Sequence, residues 1–145
     1  MFRAGLVFCF AAALTAAEGF TFEIGPPVAS REYASKTADF VFRTEGCPDP
    51  AKAQVSATAE GLVNGDRRIV SLMPRAMTTP GVYAVFHTWP NEGSWVIRLK
   101  GNCGDKTAGA LVPMNARGFV RDAAKFYPRA ATDAETDAAL KSLAH

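Results

Sequence analysis

Short runs in which apolar and polar residues alternate recur along this chain, and turn residues separate them. Phe20-Thr21-Phe22-Glu23-Ile24 alternates and stops at Gly25-Pro26-Pro27. Ala38 to Thr44 alternates as well, with Phe40 and Phe42 on one face and Asp39, Val41 and Arg43 on the other. A period of two over five to seven residues predicts strands. Gly46-Cys47-Pro48-Asp49-Pro50 then breaks the chain.

The next element is a hairpin whose register follows from its turn. Asn64-Gly65 fits a type I′ turn, which needs positive φ at both central residues. That turn pairs Val63 with Asp66, Ala57 with Leu72 and Ala59 with Val70. It gathers Val55, Ala57, Ala59, Val70 and Leu72 on one face, and Thr58, Glu60 and Ser71 on the other, with Ile69 as an apolar exception there. Pro74 ends the second strand. A second hairpin is expected from Gly81 to Lys100 around Pro90-Asn91-Glu92-Gly93, pairing Phe86 with Ile97, Ala84 with Leu99 and Thr88 with Trp95. This register turns Trp95, Ile97 and Leu99 inward and Tyr83, Val85, His87, Trp89 and Val96 outward. A last strand is expected over Thr107 to Val112.

The C-terminal part changes character. Phe119, Ala123 and Phe126 are spaced for one helical face, and Pro128 stops that piece. Thr132-Asp133-Ala134-Glu135 is a capping box, in which the Thr oxygen accepts from the N3 amide while the Glu reaches back. It predicts a helix over 133–143, with Leu140 and Leu143 as its apolar edge. Together these elements predict an all-β fold: an antiparallel Ig-like β-sandwich of about seven strands over 18–115, with a short helical tail over 116–145.

Residues 1–17 read as a secretory signal peptide. Arg3 is the positive start, Leu6 to Leu14 the apolar stretch, and Thr15-Ala16-Ala17 the small-residue cleavage region. The apolar stretch is about half of what spans a bilayer, so no membrane anchor is expected. The exported chain is expected in a periplasmic or extracellular compartment. Of three cysteines, Cys9 lies in the signal, which leaves Cys47 and Cys103 to pair in an oxidising environment. A bridge closing a loop of about 57 residues stabilises by roughly 4 kcal/mol on chain-entropy grounds. There is no Cys-x-x-Cys spacing for redox chemistry. A formal charge of +2, with no basic run longer than Arg67-Arg68, gives no phosphate-tracking surface and excludes nucleic acid as an expected partner.

Pro80-Gly81-Val82-Tyr83 followed by Gly93-Ser94-Trp95-Val96-Ile97-Arg98-Leu99 resembles the hairpin pattern of bacterial YtkA-like domains and related exported Ig-like modules, over about twenty of the 145 residues. The resemblance implies an exported, non-enzymatic β-sandwich of a kind sometimes found near copper or respiratory-complex assembly. The chain departs from copper-handling relatives in having no His-rich or clustered Met-rich loop.

The residues themselves offer few chemistries. There is no Gly-x-Ser-x-Gly elbow and no His-Glu-x-x-His, and His87 is expected on a strand face and not in catalysis. Asp49, Asp66 and Asp105 are turn formers, too dispersed for calcium. Met73, Met77 and Met114, with His87, have the soft donors that suit Cu(I), although methionine is also an ordinary core filler. Tyr83, Val85, His87, Trp89 and Val96 form the candidate binding face, unless the C-terminal segment folds back over it. The expected function is therefore a non-catalytic binding or assembly module, with no cofactor and a protein partner on that face. The alternative is a periplasmic copper-handling protein using Met73, Met77 and His87.

Overall fold

The computed structural model describes residues 19–143. The signal-peptide expectation for 1–17 lies outside them. Ten strands and one α-helix follow in order: β1 Thr21–Gly25, β2 Phe40–Glu45, β3 Gln54–Val63, β4 Asp66–Leu72, β5 Arg75–Ala76, β6 Val82–Val85, β7 Ser94–Cys103, β8 Lys106–Asn115, β9 Gly118–Phe119, β10 Lys125–Tyr127 and α1 Asp133–Leu143. They form two antiparallel sheets, ordered β1-β2-β6-β5 and β10-β8-β7-β3-β4, with β9 also on β8. The fold is an all-β sandwich with a short helical tail.

The sheets face each other across an aromatic and aliphatic core. Phe22, Phe40, Phe42 and Val85 come from the first sheet, and Ala59, Trp95, Ile97, Leu99 and Val112 from the second. Cys47, just past β2, and Cys103, at the end of β7, are joined by a disulfide that ties the two sheets together. The β3–β4 hairpin has the register its turn dictates: Val63 pairs with Asp66, Ala59 with Val70 and Ala57 with Leu72. Asn64 and Gly65 both take positive φ, 54° and 84°.

The expected hairpin from Gly81 to Lys100 does not form. Val82–Val85 pairs with β2 and β5 in the first sheet, whereas Ser94–Cys103 lies between β3 and β8 in the second. The segment between them is a crossing from sheet to sheet. Pairing with β2 sets the opposite facing for β6: Tyr83 and Val85 pack on the central core, while Val82 and Ala84 join Ala38, Val41 and Met77 in a smaller cluster. The helical reading of Phe119, Ala123 and Phe126 also fails. Two short strands, β9 and β10, line the same edge of β8 with a single 3₁₀ turn between them. That edge offers backbone hydrogen bonds, which the pleat of β8 makes available and a helix would forgo.

Helix α1 occupies the expected 133–143. Its capping box is closed: Glu135 N–H donates to Thr132 Oγ1 at 3.1 Å, and Thr132 N–H donates to Glu135 Oε1 at 2.8 Å. The helix packs. Leu140 is buried against Val96, Leu111 and Ala131 on the outer face of the second sheet. The tail thus covers part of the surface the sequence leaves open, Val96 included.

Candidate functional site

The five residues expected to share one exposed face are split by the fold. Val85 and Trp89 are core residues, 1% and 4% exposed. Val96 lies under α1. Tyr83 is half-buried and stacks on Phe42, with ring centroids 5.2 Å apart. Of the five, His87 alone is exposed. No such continuous face exists, because β6 and β7 belong to different sheets.

What the crossing builds instead is a cleft at one end of the sandwich. The β6–β7 crossing contributes His87, Trp89, Pro90, Asn91 and Gly93. The β8–β9 turn and the strand ends that flank it contribute Met114 to Gly118, and the residues just before β2 contribute Ala38 and Asp39. With Pro27 and Trp95 they enclose about 700 Å³, within the usual size of a small-molecule site. The crossing is anchored at two points. Trp89 is sunk into the core, and Trp95 Nε1–H donates to the Glu92 carbonyl at 2.8 Å. Trp95 can lie flat there because its cross-strand partner is Gly61. A Cβ at that position would come within 2.5 Å of the indole ring.

His87 is held from two sides. Its Nδ1 is 2.9 Å from Asp39 Oδ2, and its ring stacks on Trp89 at 4.1 Å and 25°. The pairing of β2 with β6 makes this meeting possible: Phe40 pairs with Val85, and Asp39 N–H donates to the Val85 carbonyl at 2.8 Å. Because Nδ1 faces a carboxylate, it carries the hydrogen, and the neutral ring leaves Nε2 as a bare lone pair. Nε2 has no partner among the described residues. Across the cleft, the β8–β9 turn is fixed by Arg117 N–H donating to Asn115 Oδ1 at 2.8 Å. The Arg117 guanidinium makes no ion pair among the described residues. Asp39 and Arg117 carry no local sequence signal for this role. Asp39 lies 48 residues before His87 and meets it only through strand pairing.

The methionines fall in separate surroundings. Met73 is 91% exposed beside Pro74, while Met77 is buried with Ala38, Val41 and Ala84. Met114 shares the cleft wall with His87. No group of three or more His, Cys, Asp or Glu side chains is placed to hold a metal ion among the described residues. No described helix is long and apolar enough to cross a membrane. The Cys47–Cys103 bridge is present, at an S–S distance of 2.07 Å. No protein-family model, curated protein or solved structure matches this chain.

Proposed function

We propose that the protein is an exported, non-catalytic binding module of the Ig-like type, related in pattern to YtkA-like domains, which takes its ligand in the cleft around His87. One observation carries this reading: an exposed imidazole pinned by Asp39 and Trp89 at the wall of a preformed cleft. Fixing an exposed side chain costs rotamer entropy, and a ligand meeting a fixed group loses less freedom on binding. The cleft walls carry no hydroxyl, thiol or amine for the imidazole to activate as a nucleophile. The inter-sheet disulfide supports export, since such bonds persist outside the cytosol.

A screen of small envelope metabolites by amide chemical-shift mapping tests this. Shifts confined to Asp39, His87, Trp89, Asn115, Arg117 and the Trp95 indole are expected, and Ala116→Trp, which adds bulk to the cleft wall, should weaken them. Shifts centred elsewhere, or untouched by Ala116→Trp, contradict it.

The copper reading keeps one supporting observation, now on a different methionine: Met114 lines the same cleft as the bare Nε2 of His87. Thioether and imidazole are both soft enough for Cu(I). Saturation by one equivalent of Cu(I), lost in Met114→Leu, would favour it over the first reading.

A further inference from the structure

We propose that the cleft binds a small ligand through an oxyanion, carboxylate or phosphate, and that the anion enters together with a proton taken up by His87. This rests on the cleft being the ligand site. Three charged or titratable side chains line it: Asp39, His87 and Arg117. Glu92 belongs to the same crossing but is not part of the wall. Asp39 is engaged by His87 Nδ1, whereas the Arg117 guanidinium has no partner among the described residues. Asp39 is thus already paired, whereas Arg117, exposed on the turn, leaves its guanidinium open to a ligand. A guanidinium is suited to bidentate capture of carboxylate or phosphate.

The proton follows from the tautomer. With Nδ1–H aimed at Asp39, neutral His87 presents a lone pair at Nε2, which repels an anion. Protonation turns Nε2 into an N–H donor, while Nδ1–H stays on Asp39. The proton comes from solvent and stays on Nε2, and no covalent bond to the ligand forms or breaks. Protonated His87 balances Asp39, and Arg117 then balances the ligand. Anion affinity is therefore highest when the imidazole is charged and falls as rising pH removes that proton. Beyond these groups the wall mixes the apolar side chains of Pro27, Trp89 and Met114 with the amides of Asn91 and Asn115, so the rest of the ligand meets both apolar surface and hydrogen-bonding groups.

The test is titration of the full purified chain with acetate and with phosphate, against chloride, read by the ring nitrogens of His87 and the side-chain resonance of Arg117. Acetate should saturate with severalfold higher affinity near pH 5.5 than near pH 7.5, in the direction that one coupled proton requires. Arg117→Ala should lose about tenfold or more. His87→Gln should bind weakly and without pH dependence. The tighter of acetate and phosphate names the natural headgroup. Absence of saturation with both anions, affinity indifferent to Arg117→Ala, or affinity unchanged by pH would overturn the proposal. A screened compound weakened by Ala116→Trp but indifferent to Arg117→Ala keeps the cleft and removes the oxyanion, whereas one indifferent to both removes the cleft itself.

Discussion

Glu60 and Arg98 meet on the outer face of the second sheet, Oε2 to Nη1 at 3.2 Å, 38 residues apart in sequence. Glu60 is 3% exposed, and its carboxylate also accepts from Thr58 Oγ1 and Arg67 Nη2, both at 2.8 Å. Arg98 reaches on to Asp133 Oδ1 at 2.9 Å and to the Ala131 carbonyl, and Arg67 to Asp137. The pair thus adds polar contacts to the Leu140 packing that holds α1 on the sheet. Burial pushes the Glu60 carboxyl up, but Thr58, Arg67 and Arg98 outweigh it and hold it below the usual carboxylate range.

A depressed folded value means that Glu60 stabilises above the unfolded glutamate range, about pH 4.3. That contribution disappears as pH falls through the lower folded value. Glu60→Gln leaves two guanidiniums facing a neutral amide and should cost about 1–3 kcal/mol at neutral pH. Its stability should also decline less steeply below about pH 4.3 than that of the wild type. Urea melts at neutral and acid pH check both, and parallel curves would contradict the assignment.

Trp89→Ala should cost about 3–5 kcal/mol, as for other buried aromatic deletions, because the indole is 4% exposed in the main core. It also removes the surface on which His87 stacks. A thermal melt unchanged by the substitution would place Trp89 back on the surface, where the sequence pattern had it.

Thr44 on β2 is 9% exposed, and its hydroxyl has no hydrogen-bond partner among the described residues. A buried hydroxyl without a partner costs stability, and an apolar group of similar shape does not carry that cost. Thr44→Val should therefore be neutral or stabilise by up to about 1 kcal/mol. A loss of more than about 1 kcal/mol would mean that the hydroxyl is satisfied in solution.

What could be read in advance was what local chemistry settles. Asn64-Gly65 fixes its own turn geometry, and the turn fixes every pairing from Ala57 to Leu72. The capping box likewise fixes the start of α1. The readings that failed depend on distant partners. Alternation over Tyr83–Trp89 is the same whether the strand pairs forward with Ser94–Lys100 or backward with Phe40–Arg43, and only the competition between those partners decides. The spacing of Phe119, Ala123 and Phe126 imitates a helical stripe, yet the open edge of β8 captures two short strands from it. The cleft inherits this difficulty, since Asp39, His87 and Arg117 come from three parts of the chain.

Cys47 and Cys103 are 56 residues apart and join opposite sheets. Replacing both with serine should lower stability by about 2–4 kcal/mol, chiefly by freeing the unfolded chain. Denaturant titration of oxidised and double-serine protein measures it. Equal midpoints would show that the bridge does not constrain the unfolded state.

The central claim is that Asp39 fixes His87 so that Nε2 is the open atom of the cleft. Ring nitrogen NMR of His87, recorded above the histidine titration range, measures this directly. The account predicts the tautomer protonated on Nδ1, with a bare Nε2. A ring protonated on Nε2, as free imidazole side chains prefer, would contradict it.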